Sequence, residues 1–261
     1  MSTAVIARPA GFLRDLMSVA GRAVRAILRE PEQWIPGLIV PVFFFGVNVG
    51  ALEGVSQFAG VDDFKAFQIP VALVFAVTGV SRAAALVTDI NTGYFDRLLV
   101  SPVNRFSLLI GLMLADVAFA MALSVPVIVM GLALGVSWVT GPLGILAFMG
   151  IAGLWSLAFA AIPYTIALRT ASAAAVGSSF ILFFPFAFLT TSFLPIEALS
   201  GWLATAAKYN PITYLLDGLR AIISEGWVAS DIFGALAAVA ALAAISMPLA
   251  FTSLRARVRN G

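Results

Sequence analysis

"VAFAMALSVPVIVMGLALGVSWVTGPLGILAFMGIAGLWSLAFAAIPYTIAL" (residues 117–168) runs for 52 residues without a charged side chain. As one helix it would reach about 78 Å at 1.5 Å per residue, far beyond the ~30 Å of a hydrocarbon core. It must therefore turn once. "SWVTGPLG" (137–144) holds the turn signal, a Gly-Pro pair, with Trp138 suited to a membrane interface. The stretch thus reads as the ends of two antiparallel membrane helices, about Phe106–Val136 and Leu143–Leu168.

Working outward, the rest of the chain has the same character. Of 261 residues, 61% are hydrophobic and 11% are charged, against about 25% charged in soluble domains. Continuous apolar runs, rather than short alternating segments, predict helices and not a barrel. Four more fall at 33–52, Ile69–Val87, Ala173–Leu194 and Ile232–Leu254, with kinks expected at Pro36, Pro41 and Pro185. The expected architecture is all-α and polytopic, one domain over 1–261 with six crossings. Six crossings place both termini on one side. On that side lie Arg8, Arg14, Arg22, Arg25, Arg29, Arg82, Arg97, Arg105, Arg169, Arg255, Arg257 and Arg259. Lys65, Lys208 and Arg220 lie on the other. Such a bias predicts cytoplasmic termini and location in a cytoplasmic membrane. Arginines at 8 and 14 argue against a signal peptide.

Several chemistries drop out. With neither Cys nor His in the chain, thiol nucleophiles, imidazole bases and the common zinc, haem and iron–sulfur ligand sets are missing. No GxxxxGK[ST] phosphate loop exists, so no ATPase motif is present and the chain is not expected to be an enzyme. No nucleic-acid partner is expected.

Three segments stand outside the spans. "FLRDLMSVAGRAVRAILRE" (12–30) alternates apolar and cationic positions at a period of 3.6, with Arg14, Arg22, Arg25 and Arg29 on the polar side, and reads as an interfacial helix against lipid headgroups. "DINTGYFDRLLVSPVNR" (89–105) is polar, yet it contains Tyr94, Phe95, Leu98 and Leu99 beside Asp96 and Arg97. Thr92 or Asp89 would cap a short helix there. Its large side chains would either rest on lipid headgroups or fill a groove in a cytoplasmic protein. The third segment, 196–231, carries two amphipathic helical patterns. Leu199, Trp202, Leu203 and Ala206 share a face in the first. The second opens with Asn210 as cap and Pro211 at the first helical position. Its Ile212, Leu215, Leu216, Leu219, Ile222 and Ile223 share one side, and Thr213, Asp217, Arg220 and Ser224 the other, with Asp217 and Arg220 able to pair.

In this order the three segments resemble the membrane subunits of type-2 ATP-binding-cassette exporters, the daunorubicin-resistance-like branch. "DINTGYFDRLLVSPVNR" with "GLMLADV" (111–117), and "LPIEALSGWLATAAKYNPITYLLDGLR" (194–220), carry the likeness most specifically. The resemblance implies an elbow helix at 12–30, a coupling loop at 89–102 that docks on a separate ATPase through residues 94–99, and two re-entrant helices at 196–231. Asn210, Pro211, Tyr214, Asp217 and Arg220 would belong to the outer gate. It further implies two ATPase copies that hold ATP and Mg, and a second permease subunit, identical or not, met through spans two and five. The cargo would be a hydrophobic or amphiphilic drug, lipid or lipid-linked product.

Asp116 stands apart, an ionisable residue about 15 Å along its helix. Either it is structural, near the interface or bonded to a neighbouring helix, or it relays protons. The second option would make the chain a proton-coupled secondary transporter that needs no ATPase. A non-transporting membrane assembly subunit is a third reading. The Gly46/Gly50 and Gly131/Gly135 spacings suit helix packing.

Overall fold

The computed structural model describes residues 12–27, 31–56, 60–79, 81–99 and 104–260. Every regular element among them is helical. They are α1 (Phe12–Ile27), α2 (Pro31–Ser56), α3 (Phe64–Thr78), α4 (Ala83–Asn91), α5 (Tyr94–Leu99), α6 (Arg105–Ala133), α7 (Gly141–Thr170), α8 (Ala173–Phe188), α9 (Gly201–Tyr209), α10 (Pro211–Arg220) and α11 (Ala229–Asn260). Counting α3 and α4 as one segment, five are long and apolar enough to cross a membrane.

α7 is the central post. It packs on α3, α4, α6, α8 and α11, and Phe148, Trp155 and Tyr164 on it are fully buried. Two of its polar contacts are specific: the Trp155 indole N–H donates to Thr78 Oγ1 at 3.0 Å, and Ser246 Oγ donates to the Ala158 carbonyl at 2.6 Å. The Gly-Pro turn forms as expected. α6 ends at Ala133, Gly141 takes a positive φ of 63° and Pro142 occupies the first turn of α7. α2 runs unbroken through Pro36 and Pro41.

Two spans depart from their expected form. The second is not one helix from Ile69 to Val87. α3 ends at Thr78 and α4 begins at Ala83, because a carboxylate from α6 takes over the freed backbone N–H of Arg82. Arg82 is 9% exposed, so its side chain lies inside the bundle. The fifth stops at Phe188 rather than Leu194, leaving α8 with 16 residues. Pro185 lies in its last turn, and the hydroxyls of Thr190 and Ser192 both donate to the Ala187 carbonyl, at 2.6 and 3.0 Å, ending the helix. A six-crossing count thus rests on α8 together with the coil that follows it.

α3 is enclosed by α2, α6 and α7, with nearly every residue from Phe64 to Thr78 buried. It leaves little free surface for a second subunit, contrary to the expectation for span two. Exposed apolar residues occur on α2 (Ile39, Phe43, Val47), α6 (Val125, Val129, Leu132), α7 (Leu143, Leu146), α8 (Ile181, Phe184, Phe188) and α11 (Phe233, Ile245, Leu249), among others.

The 196–231 segment folds back as α9 and α10, followed by a π-helical turn at Ala221–Glu225. α10 buries Ile212, Leu215, Leu216 and Leu219 against the body, as the pattern predicts. α9 instead leaves Trp202 73% exposed and buries only Ala207, so the proposed apolar face of the first helix does not meet the core. Gly218 fixes how closely α10 approaches α11: a Cβ there would lie 2.6 Å from both the Ala235 Cβ and the Asp231 carbonyl oxygen. Since the obstacle includes backbone, we expect Gly218→Val to cost about 1–3 kcal/mol through overpacking. Thermal unfolding in detergent should reveal the loss, and an unchanged midpoint would refute the close packing.

Candidate functional site

Three polar constellations lie at the ends of, or within, the bundle. The first joins α1, α4 and α5. Gly93, with φ of 69°, turns the chain between α4 and α5. The Thr92 hydroxyl donates to the Thr88 carbonyl at 2.9 Å, so Thr92 closes α4 rather than capping α5. α1 lies along the first half of α6, where Gly111 leaves room for Val19. Arg14 and Arg25 are exposed on it, and Arg29 lies outside the described residues. Arg22 reaches across to α5: its Nη1 donates to the Tyr94 hydroxyl at 2.8 Å, and its guanidinium sits 5.1 Å from the centre of the Tyr94 ring.

Phe95 corrects the reading of this loop. It is not a free anchor but 2% exposed, in a core cluster with Ala23, Leu86, Ile90 and Leu108. Leu98 and Leu99 are half-buried against the same cluster. Asp96 and Arg97 point outward with Asn91 and Thr92. The apolar side of α5 therefore holds it on the bundle, and the charged side faces out.

The second constellation lies inside the bundle. Asp116 is 2% exposed. Its Oδ1 accepts from the Arg82 backbone N–H at 3.1 Å and its Oδ2 from Ser81 Oγ at 3.4 Å, while Ser81 Oγ accepts from the Ala83 N–H at 3.1 Å. Together these groups serve the start of α4, where the helical ladder is interrupted. Arg82 and Tyr164 lie beside the carboxylate. The Arg82 Nε and Nη1 and the Tyr164 hydroxyl, all buried, have no hydrogen-bond partner among the described residues. Of the two options for Asp116, the bond to a neighbouring helix is the one the geometry provides. Gly79 followed two residues later by Ser81, inside an apolar run, was the sequence signal for the break.

The third lies at the other end. Arg220 is expected on the polar side of α10, yet it is 9% exposed. Its Nη2 donates to the Thr191 carbonyl at 2.7 Å, Nη1 to Thr191 Oγ1 at 2.9 Å and Nε to the Phe67 carbonyl at 3.2 Å. The guanidinium stacks 3.5 Å from the Phe67 ring centre and pairs with Asp217 at 3.3 Å. Burial draws Arg220 down to about 10, partly offset by Asp217, so it stays charged at neutral pH. Burial likewise raises Asp217, against the pull of Arg220. Asn210 both caps α10, accepting from the Ile212 N–H at 2.9 Å, and ties down α8, donating to the Phe186 and Leu189 carbonyls at 2.7 and 2.9 Å. Pro211 follows as the first helical residue. Tyr214 turns away and donates to the Lys208 carbonyl at 2.8 Å. Beside Arg220 opens a cavity of about 640 Å³ lined by Asp62, Asp63, Glu197, Asp217, Glu225 and Asp231. Thr191 and Phe67, the main partners of Arg220, were not legible because neither is near it in the chain.

Residues 14–224 match the model of the family described as ABC-2 type transporter. The chain belongs to that family. It is 26% identical over 248 residues, 94% of its length and 90% of the relative's, to the "Probable doxorubicin resistance ABC transporter permease protein DrrC" of Mycobacterium tuberculosis. It is 26% identical over 231 residues, 87% of its length and 81% of the relative's, to the "Daunorubicin resistance ABC transporter permease protein DrrB1" of Streptomyces coeruleorubidus. The chain is thus a multi-pass ABC-2 permease, the membrane subunit of an ABC exporter, and its family works with an ABC ATPase subunit.

Two substitutions separate the roles at these sites. Phe95→Ala should cost about 3–5 kcal/mol, as expected for a buried phenylalanine, and lower the yield of folded permease. Wild-type thermal stability in that variant would return Phe95 to the surface. Asp116→Asn keeps an oxygen that can accept the Arg82 N–H, so export should survive. Asp116→Leu leaves that N–H unpaired and should lower folded yield. Loss of export in Asp116→Asn with folding intact, mimicked by a proton uncoupler, would instead establish a proton relay.

Proposed function

We propose that this permease exports a hydrophobic or amphiphilic compound across the cytoplasmic membrane, driven by two copies of a separate ATPase that hold ATP and Mg. α5 is the coupling helix. What carries this reading is its mounting: Phe95 and the Arg22–Tyr94 contact fix α5 to the bundle, while Asp96 and Arg97 face outward. A partner closing on ATP would push on α5 through those charges, and α4, continuous with it except for the Gly93 turn, would carry the displacement to the Asp116 hinge. The cargo is of the amphiphilic class, a reading supported by the doxorubicin and daunorubicin in the relatives' names.

The orientation follows the arginine bias, with termini and α5 in the cytoplasm and six crossings that include α8. α9 and α10 then form the outer gate as re-entrant helices, locked by Arg220. A second permease subunit would meet the open face of α2, where a Cβ at Gly46, Gly50 or Gly54 would have nothing within 4 Å among the described residues, a small-residue stripe suited to close helix approach.

Two measurements test the proposal. In a chain without native cysteine, single cysteines at Ser137 and Ser200 should react with an impermeant thiol reagent from outside, and those at Thr92 and Thr170 only after permeabilisation. The opposite pattern would invert the topology. Asp96→Lys with Arg97→Glu should leave the permease folded but reduce ATPase co-purification about tenfold, equivalent to ~1.4 kcal/mol. Unchanged recovery and transport would mean that α5 rests on lipid.

A further inference from the structure

The start of α6 and the end of α11 diverge at the arginine-rich end of the bundle. They touch through an edge-on pair of rings, Phe106 and Phe251, 5.5 Å apart. Beyond that pair opens a groove of about 430 Å³ lined by Arg105, Phe106, Leu254, Arg255, Val258 and Arg259. Three of the six lining residues are arginines and none is a carboxylate. The two ion pairs of the described residues, Lys65–Glu53 and Arg220–Asp217, lie at the opposite end and involve none of the three. Arg255 lies 5.4 Å from the Phe106 ring centre, which places its planar guanidinium over the apolar wall. The groove also adjoins the N-terminus of the 29-residue α6, whose dipole favours an anion.

We propose that this groove binds the headgroup of an anionic phospholipid. Arg105, Arg255 and Arg259 would hold the phosphate, and Phe106, Leu254 and Val258 would meet the start of an acyl chain. An arginine fork matches phosphate oxygens in two-point contacts, and basic pockets at the ends of membrane helices suit such headgroups. A soluble phosphate would use the arginines and leave the apolar wall without a partner, so the mixed lining favours a lipid. The site rests on the chain spanning a membrane and not on its coupling to an ATPase.

The test uses the full-length permease, purified in neutral detergent and titrated with short-chain phosphatidylglycerol, short-chain phosphatidylcholine or inorganic phosphate. Retained lipid is read by native mass spectrometry and stability by thermal midpoint. Phosphatidylglycerol should be retained and raise the midpoint; phosphatidylcholine and millimolar phosphate should do neither. Arg255→Gln with Arg259→Gln should weaken phosphatidylglycerol retention at least tenfold. The same charge removed from α1, by Arg14→Gln with Arg25→Gln, should change it less than twofold. Equal losses from both pairs would reduce the effect to diffuse positive charge and overturn the site. Displacement by phosphate alone would overturn the lipid assignment. Should the glutamine pair not fold, Arg255→Lys with Arg259→Lys keeps the charge but loses the two-point fork, and about threefold weaker retention is expected. Unchanged retention there overturns the proposal. Loss of ATPase co-purification with lipid retention intact would assign the groove to the protein partner and also overturn it.

Discussion

A helix interrupted inside a membrane frees backbone groups that hydrocarbon cannot satisfy. The second span carries such an interruption between Thr78 and Ala83, and the Asp116 carboxylate meets it from α6 by accepting the Arg82 N–H and the Ser81 hydroxyl. Much of the bundle is arranged around this contact. α3, above the break, is enclosed by α2, α6 and α7. α4, below it, packs on α5, α7 and α8. The two halves of one span thus share α7 but otherwise have different neighbours, joined at a point where a side chain and not a helical ladder makes the connection. Such a junction could serve as a hinge in the proposed mechanism.

The two ends of the bundle are fastened by unlike means. At one, α5 is held by apolar burial of Phe95, with Leu98 and Leu99 packed beside it, and by an exposed contact between Arg22 and Tyr94. At the other, Arg220 makes three hydrogen bonds to Thr191 and Phe67, stacks on the Phe67 ring and pairs with Asp217. Removing one partner from such a buried, multiply bonded charge leaves the other groups unsatisfied, which is costly. The segment that Arg220 ties together is therefore held by several polar bonds, while α5 is held chiefly by its apolar side.

The sequence was informative where a pattern is local. The charge-free run with its Gly-Pro turn placed α6 and α7 within a few residues. The Asn210-Pro211 start of α10 and the Asp217–Arg220 pair both formed as read. It misled where the outcome depended on distant residues. Tyr94, Phe95, Leu98 and Leu99 look like an exposed adhesive surface because nothing nearby in the chain shows that Phe95 joins a buried cluster reaching Ala23 on α1 and Leu108 on α6. The shortened α8 was hidden for a similar reason: the hydroxyls of Thr190 and Ser192, which take up the Ala187 carbonyl, read simply as small polar residues at the edge of an apolar run. Trp202 fitted a helical stripe yet stays exposed, since a stripe states which residues share a face and not whether a neighbour covers it.

The correction at Phe95 changes the mechanical argument. A phenylalanine seated in the partner would place the strong apolar contact between two proteins, and α5 could move relative to its own bundle as the ATPase closed. With Phe95 seated in the permease, that contact lies within the chain, and the outward face offers charges whose interactions are weak when solvated. Force applied there would shift α5 and α4 together before it detached α5 from the body. The compliant point on that path is the next one up, where Asp116 replaces backbone hydrogen bonding. In the proposed mechanism, attachment at the surface and a break in the helix would be complementary: the first would deliver displacement, and the second would let it become rotation of one half-span against the other.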